Sequence, residues 1–135
     1  MKKAIPADLY NWNNKKILIV EDDYVNYLFF HEMLSGAYAC LIRAVSVQEA
    51  FDILSSGTRF NLMIINSCIP GNEDCHAMKK VKHHWPELPV IALSACDGEE
   101  NKSRCQPAGC DIIINRNIDT SDMCLLVNDM FDQVS

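Results

Sequence analysis

The sequence predicts an α/β fold: a doubly wound, five-stranded parallel sheet in the order 2-1-3-4-5 with five helices. Three observations carry this. Five short apolar runs rich in Val, Ile and Leu recur along the 135 residues, each the length of a buried strand. Stretches of helical length separate them, as expected of β-α-β units with right-handed crossovers. Each run stops at polar residues, the place where open parallel sheets gather ligands and chemistry.

Taken in order, residues 1–14 read as a polar lead-in segment, with Trp12 packed on the edge of the domain that fills 15–135. Lys16 to Val20 is the first strand and runs into Glu21-Asp22-Asp23. Three adjacent carboxylates repel one another unless a cation is near, although Asp23 also suits a helix N-cap. Tyr24 to Leu34 is a helix, with Asn26, Phe29, Phe30 and Met33 on one stripe. Tyr24, Tyr27, Leu28 and His31 fill the rest of it, so its outer side is either more core or a partner surface. Ser35-Gly36 ends it, and Tyr38 to Val45 is the second strand.

Ser46 with Glu49 forms a capping box for a helix whose inner stripe is Val47, Ala50, Phe51 and Leu54. Leu62 to Ile65 is the third strand, stopping at Asn66 before a loop closed by Pro70-Gly71. Asp74 to His84 is a helix with Ala77, Met78 and Val81 inward and Pro86 beyond its end. Pro89 to Leu93 is the fourth strand, ending at Ser94-Ala95, and a short helix is expected within 97–106. Asp111 to Asn115 is the fifth strand, followed by Arg116. Asp119 caps a last helix with Met123, Val127, Met130 and Phe131 at core spacing. The strand order is that of flavodoxin-like folds.

Composition narrows the function. A net charge of −6 argues against nucleic-acid binding. The one basic group, Lys79, Lys80, Lys82, His83 and His84, suits the solvated face and C-terminal end of a helix. No apolar run approaches the roughly 20 residues of a membrane span, and residues 1–8 lack a secretory apolar stretch, so a cytoplasmic location and no membrane contact are expected. Seven cysteines, an odd number with no Cys-x-x-Cys pair, read as buried free thiols. Cys68, Cys75 and His76 match no standard zinc spacing.

The polar residues at the strand ends are Glu21 and Asp22, Asn66, Ser94 and Arg116, and a doubly wound sheet converges them on one crevice. Together with Ile17 to Asp23 and Asn26, Asn66 with Pro70-Gly71, Pro89 to Ala95, and Ala108-Gly109-Cys110-Asp111 leading to Arg116, the chain resembles a CheY-like response-regulator receiver domain of two-component phosphorelays. Trp12 with Lys15-Lys16 also resembles linkers that join such receivers to hybrid sensor kinases. The resemblance implies an aspartate at position 66 phosphorylated by a histidine kinase. It implies an acidic pair, here Glu21 and Asp22, that holds Mg²⁺. It implies switch positions at Ser94, at an aromatic residue that is Ile113 here, and at a lysine that is Arg116 here. It places partner contacts on the fourth helix, fifth strand and last helix, where Cys124 and Leu125 would lie, with the first helix as a second surface.

The departures decide the reading. A neutral amide at Asn66 supplies no carboxylate nucleophile and removes a charge from a site whose metal prefers carboxylate oxygens. Arg116 is forked where lysine is a point charge, and is expected to bridge Glu21 or Asp22. Asn117 stands where the family has proline, so a trans bond is expected. An engineered Asp→Asn change would leave 113, 116 and 117 intact; their joint departure favours natural divergence. The expected function is a pseudo-receiver: a non-enzymatic binding module for a sensor histidine kinase, another signalling protein or a second copy, with no cofactor or weakly held Mg²⁺. One alternative retains phosphorylation, on Asp22 or Ser67, with slow hydrolysis. Another is a thiol sensor using Cys68 and Cys96. Slow deamidation at Asn66-Ser67 is a further expectation.

Overall fold

The computed structural model describes residues 10–94 and 110–132, and not the side chain of Asp74. It contains β1 (Lys16–Val20), α1 (Tyr24–Leu34), β2 (Cys40–Ala44), α2 (Val47–Ser55), β3 (Leu62–Asn66), α3 (His76–His84), β4 (Val90–Ser94), β5 (Ile112–Asn115) and α4 (Thr120–Asp132). All strand pairs are parallel and the order is β2-β1-β3-β4-β5. The helix expected within 97–106 lies outside the described residues, so four α-helices are described rather than five.

Central strands are buried on both faces, which is why β1, β3 and β4 read as unbroken apolar runs rather than alternating ones. Two core layers result. On one face Leu18, Val20, Met63, Ile65, Val90 and Ala92 meet α2 and α3. On the other, Ile17, Ile19, Ile64 and Leu93 meet α1 and α4.

Local chemistry fixes the helix starts. Asp23, Ser46 and Asp119 accept from the backbone of Asn26, Glu49 and Asp122, and Glu49 Oε1 accepts in return from Val45 N at 2.8 Å. α3 starts later than expected. Residues Glu73–Cys75 form a 3₁₀ turn, and Cys75 enters the helix in a left-handed conformation, φ 59°. Lys82, expected to be solvated, reaches Asp111 at 3.2 Å and the Leu88 carbonyl at 2.7 Å. No described peptide bond is cis, Arg116–Asn117 included.

Trp12 lies deeper than a domain edge. It is 2% exposed, donates Nε1 to Asn128 at 3.0 Å, packs edge-on against Phe131 and gives its amide to Ala37 O. The lead-in segment is thereby stapled between the end of α1 and α4. The inward stripe of α1 also differs from the sequence reading. Phe30, Met33 and Leu34 are buried with Ala37, whereas Phe29 is 52% exposed. Cys124 is a second correction: it lies in the core with Sγ 3.4 Å from Met33 O, and only Leu125 faces out. Of the described cysteines, Cys75, Cys110 and Cys124 are buried as expected, whereas Cys40, on an edge strand, and Cys68, in the loop after β3, are exposed.

Candidate functional site

The crevice forms where β1 and β3, paired in register, both stop. Val20 lies beside Ile65, so the next residues, Glu21 and Asn66, emerge side by side. Glu21 is 3% exposed; its Oε2 accepts from Asp23 N at 3.0 Å and from Asn66 Nδ2 at 3.2 Å. The other end of the same amide, Asn66 Oδ1, accepts from Cys68 N at 3.0 Å. The carboxamide thus spans the crevice as donor on one side and acceptor on the other. A carboxylate has no proton for the first of these bonds.

Burial raises the Glu21 carboxyl above its ordinary value of 4.5, with the neighbouring Asp22 adding to the rise and the bonds from Asp23 and Asn66 opposing it. Asp22 is exposed. On the far side, Arg116 donates Nη2 to Asn26 Oδ1 of α1 at 3.0 Å, and its amide bonds Ser94 O. The expected guanidinium bridge to Glu21 or Asp22 is not formed; the one ion pair among the described residues is Lys82–Asp111. Arg116 Nη2 is instead spent on Asn26 Oδ1, and Glu21 Oε2 on Asp23 N and Asn66 Nδ2. Ser94 is buried at the end of β4, and Ile113 is buried in the sheet core.

Arg43 was missed by sequence reasoning. Its Nε bonds Glu21 O at 3.0 Å and its Nη2 bonds Asp22 O at 3.1 Å, while its guanidinium lies 5.4 and 5.3 Å from the rings of Tyr24 and Tyr27. A lone arginine near the carboxyl end of an otherwise apolar edge strand was the available signal. Asn72, buried below the loop, holds it with Nδ2 on Ser67 O and Oδ1 under Met78 N.

As a Mg²⁺ site the donor set fits poorly. Two carboxylates remain, one of them, Glu21, buried and already accepting two N–H bonds, one from the NH₂ group that Asn66 turns toward it. Among the described residues no group of three or more His, Cys, Asp or Glu is arranged to hold a metal. The Ser67 amide nitrogen, the atom that would attack the Asn66 side chain in deamidation, is tied to Leu93 O at 2.9 Å.

The fold and this crevice define a phosphorelay-type signalling domain, and comparison with known proteins gives the family. The response regulator receiver domain family matches residues 17–128, and the chain belongs to it. Among curated relatives, ethylene receptor 2 of Oryza sativa is 25% identical over 118 residues, covering 83% of this chain and 15% of the receptor. Hybrid signal transduction histidine kinase B of Dictyostelium discoideum is 27% identical over 124 residues, covering 82% of this chain and 6% of the kinase. An osmosensing histidine protein kinase of Saccharomyces cerevisiae is 26% identical over 121 residues, covering 85% of this chain and 10% of that protein. The chain therefore spans a small part of each relative. Among solved structures, a Francisella response regulator receiver domain superposes with TM-score 0.80 at 21% identity, covering 90% of this chain and 100% of that one. A CheY-like receiver from Methanospirillum hungatei gives 0.78 at 20% identity, covering 89% and 95%. These structural likenesses establish the fold. No helix among the described residues is long and apolar enough to cross a membrane.

Proposed function

We propose that this receiver domain works as a pseudo-receiver: a non-enzymatic module of two-component signalling that engages its partners without phosphorylation of residue 66. The observation that supports this most is the Asn66–Glu21 hydrogen bond of 3.2 Å. An amide there lacks the nucleophilic oxygen that acyl-phosphate formation requires, and it satisfies a buried carboxylate that an aspartate would repel. The two arginines support the same reading. Arg43 holds the backbone of the acidic loop and Arg116 holds α1, so two side chains of this chain brace the crevice. In this reading Mg²⁺ binds weakly, and the partners are a sensor histidine kinase or another signalling protein, in keeping with the kinases and receptor among the relatives.

The test is incubation of freshly purified protein with Mg²⁺ and a small phosphodonor, followed by intact mass and hydroxylamine treatment. The proposal expects no stoichiometric phosphoryl adduct. A hydroxylamine-sensitive adduct on Asp22, or a resistant one on Ser67, would instead favour retained phosphorylation. Cys68 is exposed beside the crevice, and Cys96, the other thiol of the sensor reading, lies outside the described residues.

A further inference from the structure

Strand β2 is an edge of the sheet and pairs only with β1. In a parallel ladder a strand turns the backbone groups of alternate residues toward its neighbour. Cys40 N bonds Lys15 O, and Ala44 O accepts from Glu21 N, so the even-numbered residues of β2 face β1. The N–H and C=O groups of Leu41 and Arg43 therefore point out of the sheet, and nothing among the described residues bonds them. The next odd-numbered residue, Val45, gives its N–H to Glu49.

Sheets commonly blunt such an edge with lysine, proline or a bulge. β2 contains neither Lys nor Pro, and its register with β1 is unbroken. Its one cation, Arg43, is folded back onto Glu21 O, Asp22 O and the rings of Tyr24 and Tyr27, which leaves the edge unguarded. Two exposed apolar side chains bracket the strand instead, Tyr38 before it at 75% and Val45 after it at 46%. Tyr38 holds its ring in solvent with φ at 69°, a left-handed conformation uncommon for so bulky a residue.

We propose that β2 pairs antiparallel with β2 of a second copy of this chain, joining two five-stranded sheets into one. A register centred on Ile42 sets Leu41 of each copy opposite Arg43 of the other, and each such pair exchanges two hydrogen bonds. All the outward backbone groups of the strand are then satisfied. The same register lays Val45 of each copy beside Tyr38 of the other, covering both exposed side chains. Charge favours the antiparallel sense. Asp22, Asp23 and Glu49 cluster at the carboxyl end of β2, offset by Arg43. Lys15 and Lys16 lie at its amino end, with Glu32 and Asp52 exposed on the flanking helices and Asp52 tied to Gln48. Antiparallel pairing brings the acidic end of one copy to the basic end of the other; parallel pairing sets acid against acid. A strand of an unrelated protein would satisfy the backbone as well, but not this match of Tyr38 with Val45 and of acid with base. The contact is isologous, so assembly stops at a dimer. It does not depend on the state of residue 66 and goes beyond the pseudo-receiver reading.

Sedimentation equilibrium of the whole chain under reducing conditions, joined to amide hydrogen exchange by NMR at rising protein concentration, tests this. A monomer–dimer equilibrium is expected below about 1 mM, with exchange at the Leu41 and Arg43 amides slowing as the dimer forms. The double variant Tyr38→Glu, Val45→Glu places carboxylates side by side across the contact and should abolish the dimer. The double variant Tyr38→Lys, Val45→Glu places opposite charges there and should restore it. Both positions are exposed, so both variants should keep the native circular dichroism. The proposal is overturned by a chain that stays monomeric at about 1 mM, by a species larger than a dimer, or by equal association of the two double variants. Concentration-dependent protection at β5 or α4 in place of β2 also overturns it, as does protection of Leu41 and Arg43 that is the same at every concentration.

Discussion

Replacing Asn66 by Asp converts the donor that faces Glu21 into a second acceptor. The native bond is 3.2 Å long, and a bond to a charged group contributes about 1.5–3 kcal/mol. Two carboxylates at 3.2 Å repel by about 5 kcal/mol at an effective dielectric of about 20. Side-chain rotation and sharing of one proton relieve part of this, leaving an expected net loss of about 2–4 kcal/mol near neutral pH. The sign with pH follows. Both carboxyls have folded pKa values above their unfolded ones, so the deficit is complete above those values and shrinks as pH falls toward 4.5. Added Mg²⁺ should restore stability to Asn66→Asp, which has three carboxylates, and do little for the native chain. Urea unfolding followed by circular dichroism, at mildly alkaline and mildly acidic pH with and without Mg²⁺, measures all three effects. A variant as stable as the native protein in alkaline buffer, or equal stabilisation of both by Mg²⁺, would refute the reasoning.

Other perturbations probe separate parts of the account. Trp12→Ala removes a nearly fully buried indole and should cost about 3–5 kcal/mol in denaturant unfolding. Gly71→Ala forces a Cβ to 3.2 Å from Val47 at a φ of +96°; a loss of about 1–3 kcal/mol is expected by thermal unfolding. Glu21→Gln removes a buried carboxyl whose deprotonation costs stability as pH rises above 4.5, so the variant's stability should fall less with pH than the native protein's. Alkylation of the native state at mildly alkaline pH, read by peptide mass, should label Cys40 and Cys68 and spare Cys124, whose thiol is pushed up to about 11 by burial.

Much of this was legible in the sequence, and the failures have physical causes. The apolar runs gave β1 and the strand order, and the cap residues Asp23, Ser46 and Asp119 placed the helix starts. Helix α1 itself was placed correctly but turned incorrectly. Almost every position in it is apolar, so periodicity holds no direction, and Phe29 was assigned inward. Cys124 neighbours Met123 on a helix packed over two adjacent columns, where one stripe underestimates the buried face. Glu21, Asp22, Asn66, Ser94 and Arg116 do gather at the carboxyl ends. Their pairing was not readable, because it depends on lateral distances that sequence order does not encode. Arg116 reaches α1 instead of the acidic pair, and Arg43, from a neighbouring edge strand, bonds the backbone carbonyls of the acidic loop rather than its carboxylates.

The most direct test watches the Asn66 side-chain amide itself. In ¹⁵N-labelled protein its NH₂ resonances should follow the titration of Glu21, to which they are bonded, and should show no saturable response to millimolar Mg²⁺. Saturable Mg²⁺ shifts at Asn66, Glu21 and Asp22, with the amide released from Glu21, would contradict the account.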